Sequence, residues 1–311
     1  MSLNPFRADP SIRDRIASLE ASIGETLVAD IAAATRDALL PRDAADSLIA
    51  KHELSGIEEL MVLALPVARK LAIPPISSFF VGAVGLERET GNLLFGGNLE
   101  FPGSHLAYTV HGEGFLFTRA FHRGTAIATM ATGEAHPCAH CRQFLSEFAG
   151  TREMVLIDRL GHRLKMAELY PWPFDPAYLG ETGAVPGAVN WPGLELVDND
   201  LPSLVAEALR DAGRRAWSPY SKCPGAVVLS IRDGTLVSGS SIESVAFNPT
   251  MTPLQAALIE LFARGRTYDD IAAAALGTLT GGSVDYARAT TELLAAVSPS
   301  LSLTVTAWRG I

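Results

Sequence analysis

The stretch that decides the fold runs from Thr109 to Phe148 and reads TVHGEGFLFTRAFHRGTAIATMATGEAHPCAHCRQFLSEF. It contains the triplet His111-Gly-Glu113, then a short apolar run, then Pro137-Cys-Ala-His-Cys141. An imidazole and two thiols are ligands that zinc prefers, and a zinc ion held by three side chains keeps its fourth position open for water. The stretch therefore predicts a catalytic zinc site.

The order H-x-E followed by P-C-x-x-C is the signature of zinc-dependent nucleobase deaminases, in which the Glu transfers protons. It assigns zinc to His111, Cys138 and Cys141, and proton transfer to Glu113. The two cysteines are three residues apart at the start of a predicted helix, so they lie on one helix face. Pro137 fits a helix start because its missing N–H has no helical partner there. A helix N-terminus also favours the thiolate that binds a metal.

Two other uses of the cysteine pair stay open at this point. In an intracellular chain a C-x-x-C motif can be a redox pair. It can also be half of a structural zinc site, which needs four protein ligands, but the third cysteine, Cys223, lies far along the chain. His140 is predicted to point away from the face of the two cysteines, and His105, His122 and His136 are not expected to be ligands.

The composition excludes several classes of function. The 311 residues allow one large domain or two ordinary ones. A net charge of -9 and a pI near 5.3 provide no basic surface for a nucleic acid. The longest apolar run, Leu60 to Ala68, is too short to span a bilayer, and no basic-then-apolar leader opens the chain. Three cysteines give no disulfide framework. We expect a cytoplasmic enzyme that binds neither nucleic acid nor membrane.

Four parts follow one another along the chain. We expect a helical segment at 1–75, a catalytic domain at 76–168, a proline-rich linker at 169–202 and a degenerate domain at 203–311. In the first part the patterns predict helices at Ser11–Ser22, Thr26–Leu40, Asp43–His52 and Ser55–Ala72. Ser55 and Glu58 predict a capping box for the last of these, and Pro66 predicts a kink within it.

Strand and helix patterns alternate in the second part. Apolar runs starting at Phe79 and Leu93 flank the turn-rich Arg88–Asn92 and predict a hairpin. A helix, a strand, a helix and a strand should follow at His111–Arg123, Thr125–Thr132, Cys138–Phe148 and Met154–Asp158. The predicted fold class is therefore α/β, with three α/β/α layers and a mixed sheet. Helix starts beside strand ends predict a pocket at the sheet edge.

The hairpin pattern returns 143 residues later, which indicates a duplication. The pairs that match at this offset are Gly82 and Ala83 with Gly225 and Ala226, Gly91 with Gly234, Gly96 with Gly239, Glu100 with Glu243, and Thr109 with Thr252. The same offset places Leu254 at His111 and Ala256 at Glu113, so the second copy should not bind the metal. The repeat also predicts a strand at Ile271–Leu279, although its alanines favour a helix, with a helix at Ser203–Arg215 before it. A helix at Asp285–Val297 and a strand at Leu301–Trp308 should close the chain.

In both copies the chain resembles the two-domain, homodimeric bacterial cytidine deaminases. The motifs that carry the resemblance are Phe79-Phe-Val-Gly-Ala83, Asn98-Leu-Glu-Phe-Pro102, Thr109-Val-His-Gly-Glu113, Pro137-Cys-Ala-His-Cys-Arg-Gln-Phe144, Pro219-Tyr-Ser-Lys222, Ala246-Phe-Asn-Pro-Thr250 and Pro253-Leu-Gln-Ala256. The resemblance implies one Zn²⁺ per subunit, a nucleoside substrate, a broken second copy and a homodimer whose partner helps to close each site.

Residue by residue, the resemblance implies that Glu113 is the catalytic acid and base and that His111, Cys138 and Cys141 hold the zinc. It implies a substrate-binding set made of Phe79, Asn98, Leu99, Glu100, Gly112 and Phe174, with Asn98 and Glu100 on the ribose hydroxyls. It also implies that Ala246, Phe247 and Asn248 reach the partner subunit's site.

One position departs from the pattern, because the family usually has Ala where this chain has Gly112. A changed substrate preference or rate is the expected consequence. The main prediction is hydrolytic deamination of cytidine or deoxycytidine in pyrimidine salvage. The alternatives are a zinc deaminase of a modified pyrimidine nucleoside or another small aminated heterocycle, and a non-catalytic, zinc-stabilised dimeric binding protein.

Overall fold

The computed structural model describes residues 7–133, 136–197 and 199–310. Within these ranges the helices are α1 Pro10–Ala34, α2 Arg42–Lys51, α3 Ile57–Leu63, α4 Leu65–Arg69, α5 Gly112–Arg123, α6 Ala139–Leu145, α7 Met166–Leu169, α8 Ser203–Arg215, α9 Pro253–Ala263 and α10 Tyr286–Val297. The strands are β1 Leu39–Leu40, β2 Gly82–Glu87, β3 Leu93–Gly97, β4 Ile127–Thr132, β5 Val155–Asp158, β6 Arg163–Lys165, β7 Glu195–Leu196, β8 Ala226–Ile231, β9 Leu236–Ser240, β10 Ile271–Thr278 and β11 Leu303–Arg309. None of the helices described is long and apolar enough to cross a membrane.

The strands form two mixed sheets, which confirms the predicted α/β class and the duplication. The first sheet has the order β1-β3-β2-β4-β5-β6 and the second β7-β11-β10-β8-β9. In each sheet an antiparallel hairpin, β2–β3 or β8–β9, lies beside one parallel pair, β4–β5 or β10–β11. The strand predicted at Ile271–Leu279 is confirmed, because the pairing of β10 with β8 and β11 outweighs the helix propensity of its alanines.

The offset between the copies is not constant, so several of the sequence pairings are wrong. Ala83 lies opposite Gly96 in the first hairpin, whereas Val227 lies opposite Gly239 in the second, so the first strand matches at 144 residues. The later strand matches at 143, because the second turn is one residue shorter.

The loop that follows the hairpin is also shorter in the second copy, by two residues. Leu99 forms a bridge with Val110, and Ile242 forms the same bridge with Met251, so α9 matches α5 at 141 residues. The residue that matches His111 is therefore Thr252, and Leu254 matches Glu113. The conclusion that the second copy lacks these two groups is unchanged.

Three predictions for the N-terminal segment are also wrong. A single helix, α1, runs through Gly24, which costs about 1 kcal/mol relative to Ala, and buries Leu27 and Ile31. Leu39–Leu40 is a strand paired with β3 rather than a helix end.

The capping box predicted from Ser55 and Glu58 does not form. Gly56 is the N-cap residue of α3, and Glu59 accepts the Ser55 N–H at 2.6 Å while Glu58 pairs with Arg163. The expected interruption at Pro66 is present, because α3 ends at Leu63 and α4 begins at Leu65.

The larger of two hydrophobic core clusters runs through both copies and includes the contact between α5 and α9, while a smaller cluster around Leu209 and Trp308 lies in the second copy. Arg119 of α5 is buried at this contact, where its side chain donates to Glu260 at 3.1 Å and to the carbonyl of Ala38 at 2.9 Å. The helix starts that carry the predicted site are therefore backed by a core that both copies share.

Candidate metal centre

The two helix starts singled out in the sequence meet at one point. His111 immediately precedes α5, Cys138 caps α6, and Cys141 lies in the first turn of α6. The His111 Nδ1 atom lies 3.5 Å from the Cys138 sulfur and 3.2 Å from the Cys141 sulfur, and the two sulfurs are 3.7 Å apart. Among the residues described, these three form a group with the right donor atoms for a metal ion.

These distances fit zinc. Zn–S bonds of about 2.3 Å and Zn–N bonds of about 2.0 to 2.1 Å in a tetrahedron place neighbouring donor atoms roughly 3.5 to 3.8 Å apart. Two of the three measured separations lie within that range, and the third is a few tenths of an ångström short of it. Cys141 is buried, while His111 and Cys138 are exposed, and among the described residues no fourth His, Cys, Asp or Glu joins this group. The geometry is that of a catalytic rather than a closed structural site.

The two thiols are close enough to share one proton. Hydrogen bonding with Cys141 and His111 lowers the pKa of Cys138 to about 3. The same bond to Cys138, together with burial, raises the pKa of Cys141 well above its usual value. The protein alone thus stabilises one thiolate, and a cation is needed to hold both.

Glu113 lies two residues after His111 in the first turn of α5 and is 5% exposed. Burial raises the pKa of its carboxyl. The helix start packs tightly on the hairpin, because a Cβ added to Gly96 would lie 2.7 Å from the carbonyl oxygen of Gly112. At Gly112 itself an added Cβ would make ordinary contact with Ala83 at 3.5 Å, so the space for an alanine is present.

Asn98 and Glu100 hold the segment that precedes β2. The Asn98 amide accepts the Val81 N–H and donates to the Phe79 carbonyl, both at 2.9 Å. Glu100 accepts the backbone N–H groups of Ile76 at 2.8 Å and Ser77 at 2.9 Å, and also the Ser77 hydroxyl. Ser77 was missed in the sequence, although its counterpart Ser221 in Pro219-Tyr-Ser-Lys222 provided a signal.

The backbone of Leu99, between these two residues, pairs with Val110, the residue directly before His111. Phe79 is half exposed at the edge of this area. Phe174 is tied to α6, because its N–H donates to the side-chain oxygen of Gln143 and its carbonyl accepts the Gln143 amide at 2.7 Å. Gln143, two residues after Cys141, was also not singled out, although it lies within the motif Pro137-Cys-Ala-His-Cys-Arg-Gln-Phe144.

The segment Ala246–Asn248 precedes α9, and Phe247 is 62% exposed with a φ of +60°. The residues that follow it reach the metal ligands of the same chain. Thr250 and Met251 line a cavity of about 20 Å³ together with His111 and Cys141. Ala246, Phe247 and Asn248 do not line that cavity.

The family described as "Cytidine and deoxycytidylate deaminase zinc-binding region" matches the chain twice, over residues 54–157 and 187–291. The chain belongs to this family. A cytidine deaminase of Photobacterium profundum is 31% identical over 296 residues, covering 95% of this chain and 98% of that protein. A cytidine deaminase of Vibrio cholerae is 35% identical over 254 residues, covering 80% and 84%. The solved cytidine deaminase of Mycobacterium leprae aligns with 38% of this chain and 100% of its own, at 24% identity and a TM-score of 0.34.

The family match and the donor geometry agree on zinc as the cofactor. Both copies match the family, but the group of His and Cys ligands lies in the first copy.

Proposed function

We propose that the protein is a zinc-dependent cytidine deaminase, which converts cytidine or deoxycytidine and water to uridine or deoxyuridine and ammonia. The observation that carries the proposal is the convergence of His111, Cys138 and Cys141 beside a buried Glu113 at two helix starts. The similarity to cytidine deaminases over nearly the whole chain supports the same substrate class.

His111, Cys138 and Cys141 would hold the zinc ion. When bound, zinc supplies a water whose pKa is lowered to about 7. Glu113 would take one proton from the attacking water and deliver it to the pyrimidine ring nitrogen. It would then take the second proton of that water from the hydroxyl group now on the ring carbon and pass it to the amine, which departs as ammonia while the carbonyl forms. One carboxylate thus serves first as base and then as acid.

The substrate would lie between the hairpin and α6. Asn98 and Glu100, with the backbone at Leu99 and Gly112, would contact the ribose and the base, because Leu99 between them pairs with Val110, directly before His111. Both polar side chains also hydrogen-bond to the segment at 76–81, which carries Phe79. Each would therefore position this segment and bind the substrate as well. Phe174 would cover the base from the side of α6, where Gln143 holds its backbone in place.

The active site would be completed by a second copy of the chain. Ile76, Phe79 and Phe80 are neighbouring large apolar side chains that remain exposed, as does Phe247, and exposed apolar side chains of this kind are suited to a protein interface. In the homodimer Ala246, Phe247 and Asn248 would enter the partner's site.

A mixing experiment tests this assembly. Co-expressed Glu113→Gln and Phe247→Ala chains should recover activity, because the mixed dimer has one site with an intact Glu113 and a wild-type arm. A monomeric mass, or a mixture no more active than its parents, would contradict the dimer.

The function itself is tested by loss of ultraviolet absorbance on a nucleoside panel, with metal content measured on the same sample. We expect one zinc per chain and rates on cytidine and deoxycytidine above those on adenosine, guanosine and 5-substituted cytidines. Zinc-loaded protein that prefers a different aminated heterocycle would overturn the substrate assignment.

A further inference from the structure

A second group of metal-binding side chains lies outside the catalytic site. We propose that His136, Asp158 and His162 form a separate site for a divalent cation of the zinc class. Their nitrogen and oxygen donor atoms all lie within 4.8 Å of one another. Two imidazoles and one carboxylate are a recognised ligand set for first-row transition metals, with the remaining positions left to water.

The carboxylate of Asp158 is held in place by the turn that follows β5. Its Oδ1 atom accepts the backbone N–H groups of Leu160 at 2.9 Å and His162 at 3.0 Å. Its Oδ2 atom faces the two imidazoles, 2.8 Å from Nε2 of His136 and 2.6 Å from Nδ1 of His162. Backbone donors on one oxygen fix the orientation of the other, as they do in known metal sites.

The surroundings favour a cation. The neighbouring arginines are engaged elsewhere, Arg159 with Glu20 and Arg163 with Glu58. Asp158 is buried, whereas the side chain of His136 is 42% exposed, so ions and water can enter from its side. Binding requires the ring nitrogen that faces Oδ2 in each imidazole to be unprotonated. It also requires both N···O separations to widen to roughly 3.3 Å, because metal–nitrogen and metal–oxygen bonds are each about 2.1 Å long.

The fold does not require a carboxylate at this point. Asp158 pairs with Thr132 across the parallel strands of the first sheet, and Val305 pairs with Leu276 at the matching position of the second. An exposed valine therefore occupies the matching position of the second sheet, inside β11. The contrast with Glu100 and Glu243, which both copies retain, indicates that the group around Asp158 has a role beyond the architecture.

The site would act on the segment that carries a catalytic ligand. His136 stands two residues before Cys138, while Asp158 belongs to the sheet. A cation bound by both would join the approach to Cys138 to the strand end. The site is distinct from the zinc centre but is connected to it through the two residues of backbone between His136 and Cys138.

Cobalt titration of the zinc-loaded protein tests the proposal. We expect one further equivalent of Co²⁺ to bind, with a visible spectrum typical of nitrogen and oxygen ligands and without the thiolate charge-transfer band of a cysteine site. His162→Gln and Asp158→Asn should each weaken this binding by at least about tenfold and retain the first zinc. The retained zinc shows that each variant is folded.

His52→Gln is the matched control. His52 also donates to a carboxylate, that of Asp30 at 2.7 Å, but the second partner there is the ammonium group of Lys51, which is not a ligand. This variant should bind the additional cobalt as the wild type does. The proposal is overturned if zinc-loaded wild type binds no cobalt, if a thiolate band accompanies the binding, or if both site variants bind as the wild type.

Discussion

In the first copy Glu100 accepts hydrogen bonds from the backbone of Ile76 and Ser77, and in the second copy Glu243 accepts the matching bonds from Tyr220 and Ser221. In both copies the serine hydroxyl bonds to the other carboxylate oxygen and accepts an N–H two residues further on. The residue between, Ser78 or Lys222, has a positive φ in each case. This carboxylate clamp is therefore part of the architecture and does not depend on a metal.

The pockets beside the two clamps differ. In the second copy Thr252 and Leu254 stand at the positions of His111 and Glu113, and the ring of Tyr286 packs against Gly225. Burial raises the pKa of Glu243. Burial acts in the same direction on Glu100, but there the hydrogen bonds from Ser77 and Ile76 prevail and lower the pKa. The comparison shows that both copies need the carboxylate clamp for their fold. Only the first copy combines the clamp with His111 and Glu113, the polar side chains that a catalytic pocket requires.

The largest effect that the comparison predicts is at the position that is Glu113 in one copy and Leu254 in the other. Glu113→Gln should reduce kcat by about 10²- to 10⁴-fold, because no group then moves the proton. Zinc content should be unchanged, since the three ligands remain. Steady-state rates and metal analysis of the same preparation provide the measurement.

Leu254→Met is the matched control for this prediction. It changes the corresponding buried side chain at a cost below about 1.5 kcal/mol and should leave kcat unchanged. A Glu113→Gln protein with wild-type turnover would remove Glu113 from the mechanism.

The sequence predicted the proposed zinc ligands better than it predicted which residues of the two copies correspond. Three ligands of two types at two helix starts are a local pattern, so the group of His111, Cys138 and Cys141 could be predicted without the fold. The repeat also led to the strand β10 against its propensity. The one-residue turn difference and the shorter loop before Met251 could not be found, because only strand pairing shows where residues have been lost.

Other features were missed because they depend on tertiary contacts. The edge strands β1, β6 and β7 have two or three residues each, too few to show a period. The choice of Glu59 over Glu58 as the partner of Ser55 follows from a helix start displaced by one residue. The role of Gln143 follows from a tertiary contact, because the linker backbone at Phe174 lies along α6 and bonds to its side chain.

A second prediction concerns the dependence of one copy on the other. Glu147, just after α6, is fully buried and accepts hydrogen bonds from Trp217 at 2.7 Å, Tyr220 at 2.6 Å and the N–H of Val245 at 2.7 Å, all in the second copy. Burial, aided by the nearby charge of Glu243, raises the pKa of Glu147 to about 7 against the opposing hydrogen bonds.

The folded protein therefore binds this proton more tightly than the unfolded chain. The protonated Glu147 therefore contributes to the free energy of unfolding. This contribution, about 3 kcal/mol, is fully present below about pH 4.5 and is lost as the pH rises through about 7. Glu147→Gln should remove this slope from the free energy of unfolding measured by urea between pH 5 and 8. The exposed Glu153→Gln is the control and should keep the slope. Equal slopes in wild type and Glu147→Gln would show that Glu147 is already ionised throughout this range.

The smallest predicted effect separates the two roles of the clamp. Glu100→Ala and Glu243→Ala each leave two backbone N–H groups without their acceptor, so both should lower the free energy of unfolding by about 1 to 3 kcal/mol. Only Glu100 adjoins the metal ligands, so Glu100→Ala should reduce kcat/KM for cytidine at least about tenfold more than Glu243→Ala, a difference of about 1.4 kcal/mol in transition-state binding. If the two variants lose equal amounts of kcat/KM and of unfolding free energy, Glu100 serves only to hold the backbone at Ile76 and Ser77, as Glu243 holds its counterpart. The ribose would then be bound by other groups.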